Sequence, residues 1–262
     1  MADAVTPGST GRGHGTRRHP VVELFGPTIQ GEGPDAGLPC LFVRLGGCDY
    51  RCTWCDSMHA VDPPTVRREA RRLDESDIVA ELRQRVSDST GMLVVLSGGN
   101  PAMHELGPLV HRLHDSGMRV SVETQGSLWK DWLRDVDRLV VSPKPPSSGM
   151  ATPENALQSS KFMSAATRPC PKRSDVYLKI VCFDSADVEF AFRFRERHRR
   201  ADGSLLPLFL SSGTDAEAAR PLPAVTDRFR WLCELVAGDP RAKDCKVLPQ
   251  LHVIAWGHEK GR

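Results

Sequence analysis

Leu41-Phe42-Val43-Arg44-Leu45-Gly46-Gly47-Cys48-Asp49-Tyr50-Arg51-Cys52-Thr53-Trp54-Cys55-Asp56-Ser57 joins a short apolar strand to a loop of three cysteines, with three and then two residues between them. A loop this tight cannot pair its own cysteines into unstrained disulfides, but it can aim three thiolates at one centre. Thiolate sulfur is a soft ligand that suits zinc or an iron–sulfur cluster. A structural zinc site and a conventional 4Fe-4S cluster both take four protein ligands. No nearby Cys-x-x-Cys or His pair completes the set. A cubane held by three cysteines keeps one iron open to substrate or cofactor. Taken alone, the three cysteines also read as a plain zinc knuckle.

Working outward, Val21-Val22-Glu23-Leu24-Phe25-Gly26-Pro27-Thr28-Ile29-Gln30-Gly31-Glu32-Gly33 starts as a strand and ends in a glycine-punctuated loop. Residues 63–74 are polar and arginine-rich, the pattern of a surface connection. Asp74-Glu75-Ser76-Asp77 then supplies helix-capping residues, with Ile78, Val79, Leu82 and Val86 at helical spacing. Met92-Leu93-Val94-Val95-Leu96 is a fully apolar strand pattern running into Ser97-Gly98-Gly99-Asn100-Pro101. A helix is expected from Pro101 to Ser116. Strand patterns recur at residues 119–124, 138–144, 176–181 and 208–210, with helical patterns at 186–198 and 225–236.

This alternation predicts a parallel sheet covered by helices. The strands end in small or polar residues, as expected where ligands bind beyond the carboxyl edges. About six strands are too few for a closed eight-stranded barrel. The fold class is therefore α/β: an incomplete, open (β/α) barrel of about six mainly parallel strands with covering helices. Residues 145–175, with Pro145-Pro146-Ser147-Ser148-Gly149, read as an irregular crossover.

The chain is 40% hydrophobic and 26% charged, as in ordinary soluble domains. Its formal charge of +2 argues against nucleic acid or membrane as partner. No apolar run approaches the roughly 18 residues that span a bilayer. Residues 1–18 lack hydrophobic periodicity and read as a disordered leader ahead of one domain over 19–262. Eight cysteines without a secretion signal favour a reducing cytoplasm. Cys182 and Cys233 lie in apolar segments and read as buried small hydrophobes.

The cysteine spacing, with Trp54 before the last cysteine, resembles the radical S-adenosylmethionine enzymes. Thr28-Ile29-Gln30-Gly31-Glu32-Gly33, Phe42-Val43-Arg44-Leu45-Gly46-Gly47-Cys48, Ser142-Pro143-Lys144 and Gln250-Leu251-His252 narrow this further. Over residues 21–258 they resemble the 7-carboxy-7-deazaguanine synthase family. The resemblance implies conversion of 6-carboxy-5,6,7,8-tetrahydropterin to 7-carboxy-7-deazaguanine with loss of ammonia, on the way to queuosine and other 7-deazapurines. A deoxyadenosyl radical would take hydrogen from C6 of the pterin, and the cofactor would be regenerated. It also implies a homodimer, magnesium, and a flavodoxin or ferredoxin as low-potential electron donor.

Carried over residue by residue, the resemblance places the cluster on Cys48, Cys52 and Cys55. It sets Trp54, Cys55, Asp56, Gly99, Asn100, Glu123, Ser142 and Lys144 against S-adenosylmethionine, with a weaker match at Ser211 and Ser212. Ile29, Gln30, Gly31, Glu32, Arg44, Ser97, Gly98 and His252 would hold the pterin. Ser57 stands where the family has a magnesium-ligating threonine and keeps the hydroxyl. Asn100 stands where the family has glutamate, keeping an acceptor for the cofactor's ammonium without the charge. The plainer readings are an N-cap for Glu123, a surface lysine for Lys144, a satisfied core residue for His252 and a snorkelling side chain for Arg44. The chain also runs on through Trp256-Gly257-His258-Glu259-Lys260-Gly261-Arg262, which puts in doubt any use of a terminal carboxylate on the substrate.

Two rivals share the cysteine loop. A glycyl-radical-type activating enzyme would act on a protein partner, but often carries a second cysteine cluster, which the scattered cysteines here do not form. A non-catalytic metal-binding module gives no reason for Gly98-Gly99, Glu123 and Ser142-Pro143-Lys144 to recur at strand ends.

Overall fold

A computed structural model describes residues 18–169, 175–214, 222–257, 259 and 261. Residues 1–17 of the expected leader, Cys170, and His258, Lys260 and Arg262 of the tail lie outside the described residues. In chain order the elements are β1 (His19–Ile29), β2 (Pro39–Leu45), α1 (Met58–Val61), α2 (Pro63–Glu69), β3 (Arg71–Leu73), α3 (Glu75–Arg83) and β4 (Leu93–Gly98). Then come α4 (Gly107–Asp115), β5 (Arg119–Thr124), β6 (Arg138–Val141), α5 (Pro153–Ala166), β7 (Asp175–Cys182), α6 (Ser185–Arg197), β8 (Leu208–Ser212), α7 (Leu222–Ala237), β9 (Lys246–Leu248) and α8 (Leu251–Trp256).

The strands form one nine-stranded sheet in the order β3-β1-β2-β4-β5-β6-β7-β8-β9. From β2 to β9 neighbouring strands in this order are parallel, while β1 is antiparallel to both β2 and β3. The two ends do not pair, so the barrel is open as expected. The strand number is higher than about six because β3 and β9 are edge strands of only three residues, too short to show an alternation.

Side chains alternate across the sheet. Leu41, Val43 and Leu45, Val94 and Leu96, Val120 and Val122, Leu139 and Val141, and Leu178 and Ile180 face the helices and make the main core. The other face begins apolar at Cys40, Leu93 and Val95 and turns polar toward the carboxyl ends. It is covered by residues 30–38, the connection between β1 and β2. There the buried Asp35 accepts a hydrogen bond from Ser121 Oγ (3.0 Å) and pairs with Arg138.

Two expected elements differ. Residues 145–175 hold a regular helix, α5, capped by Thr152, whose side chain accepts from Asn155 N. Its buried stripe is Ser159, Phe162, Met163 and Ala166, correctly spaced but too weakly apolar to stand out. The helix expected from Pro101 is a single 3-10 turn, Pro101–Met103, and the α-helix starts anew at Gly107-Pro108. Asp74 caps α3 by accepting from Asp77 N. Cys182 is buried as expected, whereas Cys233 is only half-buried.

Candidate active site

The carboxyl ends of β2 and β4 to β8 open on a cleft with about 1260 Å³ of empty space, open solvent included. The cysteine loop forms one wall and is held by the backbone of its neighbours. Gly47 N donates to Ala60 O (2.7 Å), Gly99 N to Leu45 O (2.9 Å) and Asn100 N to Gly47 O (2.7 Å). A Cβ on Gly98 would lie 2.1 Å from Leu45 O, and one on Gly99 2.0 Å from Gly47 O. The glycine turn therefore exists first to let two strand ends meet, and it lines the cleft as a consequence.

Cys48, Cys52 and Cys55 are free, half-buried thiols on this wall. Burial raises the pKa of all three, that of Cys55 to about 11 with Asp56 adding to the effect. Among the described residues no three His, Cys, Asp or Glu side chains close tightly enough round one point for a single metal ion. A cubane, which separates its ligands by its own width, asks for a looser triad. Three soft sulfurs on one wall, facing open space, fit such a cluster.

Beside the thiols, Trp54 stacks on Phe183 (centroids 5.0 Å apart) and donates its indole N–H to Ser147 Oγ (3.0 Å). Ser147 in turn donates to the buried Asp187 (2.6 Å). Lys144 Nζ lies 5.7 Å from the centre of the Trp54 ring and donates to Ser142 Oγ (3.1 Å). Gln125 Nε2 donates to Asp49 (2.6 Å) and lies 3.7 Å from Cys48 Sγ.

The opposite wall is polar and charge-paired. Lys179 Nζ, which is buried, lies 2.7 Å from Glu32 and 3.3 Å from Glu123, both partly buried. Gln30 donates to Glu123 (3.0 Å) and Gln250 to Glu32 (2.9 Å), while Thr214 donates to Gln250 Oε1 (2.6 Å). Burial alone would raise the pKa of Glu32, but Lys179, His252 and Gln250 outweigh it and bring it to about 2. Burial would likewise depress Lys179, and Glu123 and Glu32 hold it above the ordinary lysine value. His252, on α8, packs so closely on Gly31 that a Cβ there would lie 2.2 Å from its Nδ1.

Arg44 completes the site at the end of β2. Its Nε donates to Glu23 (2.6 Å), its register partner on β1, and its Nη1 to Ser57 Oγ (2.9 Å). Ser57 donates onward to Asp56 (2.9 Å). Glu23 is buried enough to raise its pKa, but His59 and Arg44 bring it to about 2. Arg44 thus has a carboxylate partner within the chain.

Of the expected residues, Ile29, Gln30, Gly31, Glu32, Arg44, Trp54, Asp56, Ser57, Ser97, Gly98, Gly99, Glu123, Ser142, Lys144, His252 and the three cysteines all line this cleft. Asn100 does not. Its Oδ1 accepts from Ala102 N and Thr124 Oγ1, its Nδ2 donates to Asp49 and Ser127, and it is fully buried. The acceptor expected for the cofactor's ammonium is spent inside the turn, a correction that follows from the short side chain. Ser211 and Ser212 are buried at the end of β8, off the cleft, with hydroxyls that have no hydrogen-bond partner among the described residues.

Lys179, Gln125, Glu23, Phe183, Thr214 and Gln250 were not among the expected site residues. A lysine inside the apolar run of β7 was a usable signal; the Glu23–Arg44 pair needs the β1–β2 register.

A family model for the radical SAM superfamily matches residues 42–143, and together with the cysteine wall of an open barrel this defines the class: a radical S-adenosylmethionine protein. The chain is 38% identical to a 7-carboxy-7-deazaguanine synthase of Bacillus cereus, over 92% of this chain and 98% of that protein. It is 36% identical to the protein of the same name from Bacillus subtilis, with the same coverage. The crystal structure of QueE from Escherichia coli shares the fold, with a TM-score of 0.63 and 21% identity over 89% of this chain and 94% of that one. The chain belongs to the 7-carboxy-7-deazaguanine synthase family, and its cofactors are a 4Fe-4S cluster and S-adenosylmethionine.

Proposed function

We propose that this protein converts 6-carboxy-5,6,7,8-tetrahydropterin to 7-carboxy-7-deazaguanine with loss of ammonia, in queuosine-type 7-deazapurine biosynthesis. The observation that carries the reading is one cleft with a thiol triad on one wall and a buried, charge-paired set of amide and carboxylate groups on the other. When bound, the reduced cluster and S-adenosylmethionine supply a carbon radical able to abstract hydrogen; the protein supplies position and electrostatics.

Cys48, Cys52 and Cys55 hold the cluster. Trp54, Asp56, Gly99, Ser142 and Lys144 form the cofactor side, and Glu123, from the charge-paired wall, is assigned to the cofactor as well. Ile29, Gln30, Gly31, Glu32, Ser97, Gly98 and His252 form the pterin side, where amide and carboxylate groups match a ring edge of alternating donors and acceptors. Arg44 keeps donors beyond those given to Glu23 and Ser57, and these suit the substrate carboxylate. Ser57 Oγ, donating to Asp56 and accepting from Arg44, retains a lone pair for magnesium, a hard cation that takes oxygen. The ammonium of Lys179 keeps Glu32 ionised and holds both Glu32 and Glu123 in place as acceptors.

Residues 19–262 act as one unit, in keeping with the single sheet. The low-potential electron comes from a flavodoxin or ferredoxin, and the protein works as a homodimer in the cytoplasm. An anaerobic assay with S-adenosylmethionine, dithionite, magnesium and the tetrahydropterin tests the function. Product without stoichiometric 5′-deoxyadenosine is expected. Deoxyadenosine without product would move the substrate elsewhere.

A further inference from the structure

Behind the cysteine loop lies a second concavity, a groove between α5 and α6 floored by Phe190 and Phe194. Tyr50 and Lys144 line both the active-site cleft and this groove. Tyr50 sits between Cys48 and Cys52 in the chain and is buried, with its backbone N–H 3.4 Å from Cys48 Sγ. The groove therefore approaches the thiol wall to within one side chain, from the side that cofactor and substrate do not use.

Its rim is basic. Arg193 is 76% exposed at its side chain, and Arg197 is exposed with no ion-pair partner among the described residues. Arg51, also exposed, adjoins the groove through its backbone N–H on Met150 Sδ (3.3 Å), while its guanidinium donates to Cys48 O (2.9 Å) and Tyr50 O (2.8 Å) on the cysteine loop. Against these stands one lining carboxylate, Glu189, which is already paired with Arg193 and Arg241. An apolar floor with an arginine rim selects a partner with an acidic surface around an exposed apolar centre.

We propose that this groove docks the reductant, a small acidic electron-carrier protein. The inference rests on the function proposed above. One electron leaves the reduced carrier, which is oxidised by one, and the thiol-held cluster is reduced by one; no bond forms or breaks. Arg51, Arg193 and Arg197 guide the carrier, and Tyr50 forms the thin wall between the two centres.

The test uses the cluster-loaded enzyme and flavodoxin as the acidic carrier. In Arg193→Glu/Arg197→Glu, binding of oxidised flavodoxin by calorimetry should weaken about tenfold, because like charges then face each other. Flavodoxin-driven turnover should lose about tenfold in kcat/KM for the carrier, while dithionite-driven turnover stays at the wild-type level. Glu189→Gln should tighten binding about twofold. Unchanged flavodoxin binding in the double variant overturns the proposal. So does an equal fall in both turnovers, or a shift from dimer to monomer with flavodoxin binding intact, which would show a second copy covering the groove. If wild-type enzyme binds flavodoxin through these arginines yet makes no deazaguanine with dithionite, the docking stands and the substrate reading falls.

Discussion

Lys179 is an ammonium placed in the apolar run of β7, and two carboxylates, Glu32 and Glu123, offset the desolvation. Lys179→Met should strand both acids and lower the unfolding free energy by about 3–5 kcal/mol, read from urea unfolding. A loss within error would place the two acids in contact with bulk water instead. The pH dependence follows from Glu32. Its folded pKa of about 2 lies below the ordinary 4.5, so its contribution is complete above 4.5 and is lost as pH falls toward 2. The stability gap between wild type and Glu32→Gln should therefore shrink across that window. Arg44 and Ser57 make the functional counterpart. Ser57→Ala should depress product formation more than cofactor cleavage, measured in one reaction mixture. Equal loss of both would argue against magnesium on the substrate side. At this scale the sequence was legible where chemistry is local: three cysteines, Trp54 and Asp56 declare themselves within one loop. Glu23 did not, because it has meaning only through Arg44, which the sheet brings from a distant segment; Lys179 showed only as a charge inside an apolar run, with its two acids out of sight.

The elements position these side chains through turns whose residues have little freedom. The turn after β4 touches the cysteine loop backbone to backbone, and Gly99 has no room for a methyl group beside Gly47 O. Gly99→Ala should leave a folded sheet with a displaced cysteine loop. Iron content and the cluster's visible absorption after anaerobic reconstitution should fall well below wild type, and full reconstitution would sink this view of the turn. Asn100 secures the same junction from within, bonded to Asp49, Ala102, Thr124 and Ser127. This explains how a neutral residue serves here: its four contacts tie the cysteine loop, the turn and β5 together. Strand ends and their glycines could be read from the sequence because apolar runs and φ-permissive residues carry local signals. The helix α5 could not, since a stripe containing Ser159 and Ala166 has little contrast with its flanks. Nor could β3 and β9, which are strands only because a neighbour offers them an edge.

For the molecule as a whole, the face of the sheet opposite the helices poses the structural problem. In an open barrel of this kind that face would be a wet trough. Here the connection between β1 and β2 folds into it, and its upper part, Gln30, Gly31 and Glu32, lines the cleft on the side proposed for the pterin. Its lower part is fastened by Asp35, which is 1% exposed at its side chain, to Arg138 at the start of β6 and Ser121 in β5. Gln30 and Glu32 fasten the upper part to Glu123 and Lys179. One segment thus covers the open face of the sheet and carries groups of the proposed pterin side, which would couple stability to substrate binding. Asp35→Ala should remove the lower tie, leave Arg138 without its carboxylate and cost about 3–5 kcal/mol of stability. The same variant, assayed well below its unfolding temperature, should need more pterin for half-maximal rate, while its cluster content matches wild type because the cysteine loop has separate supports. A stability loss with an unchanged pterin requirement would show that the upper ties alone hold Gln30, Gly31 and Glu32 in place.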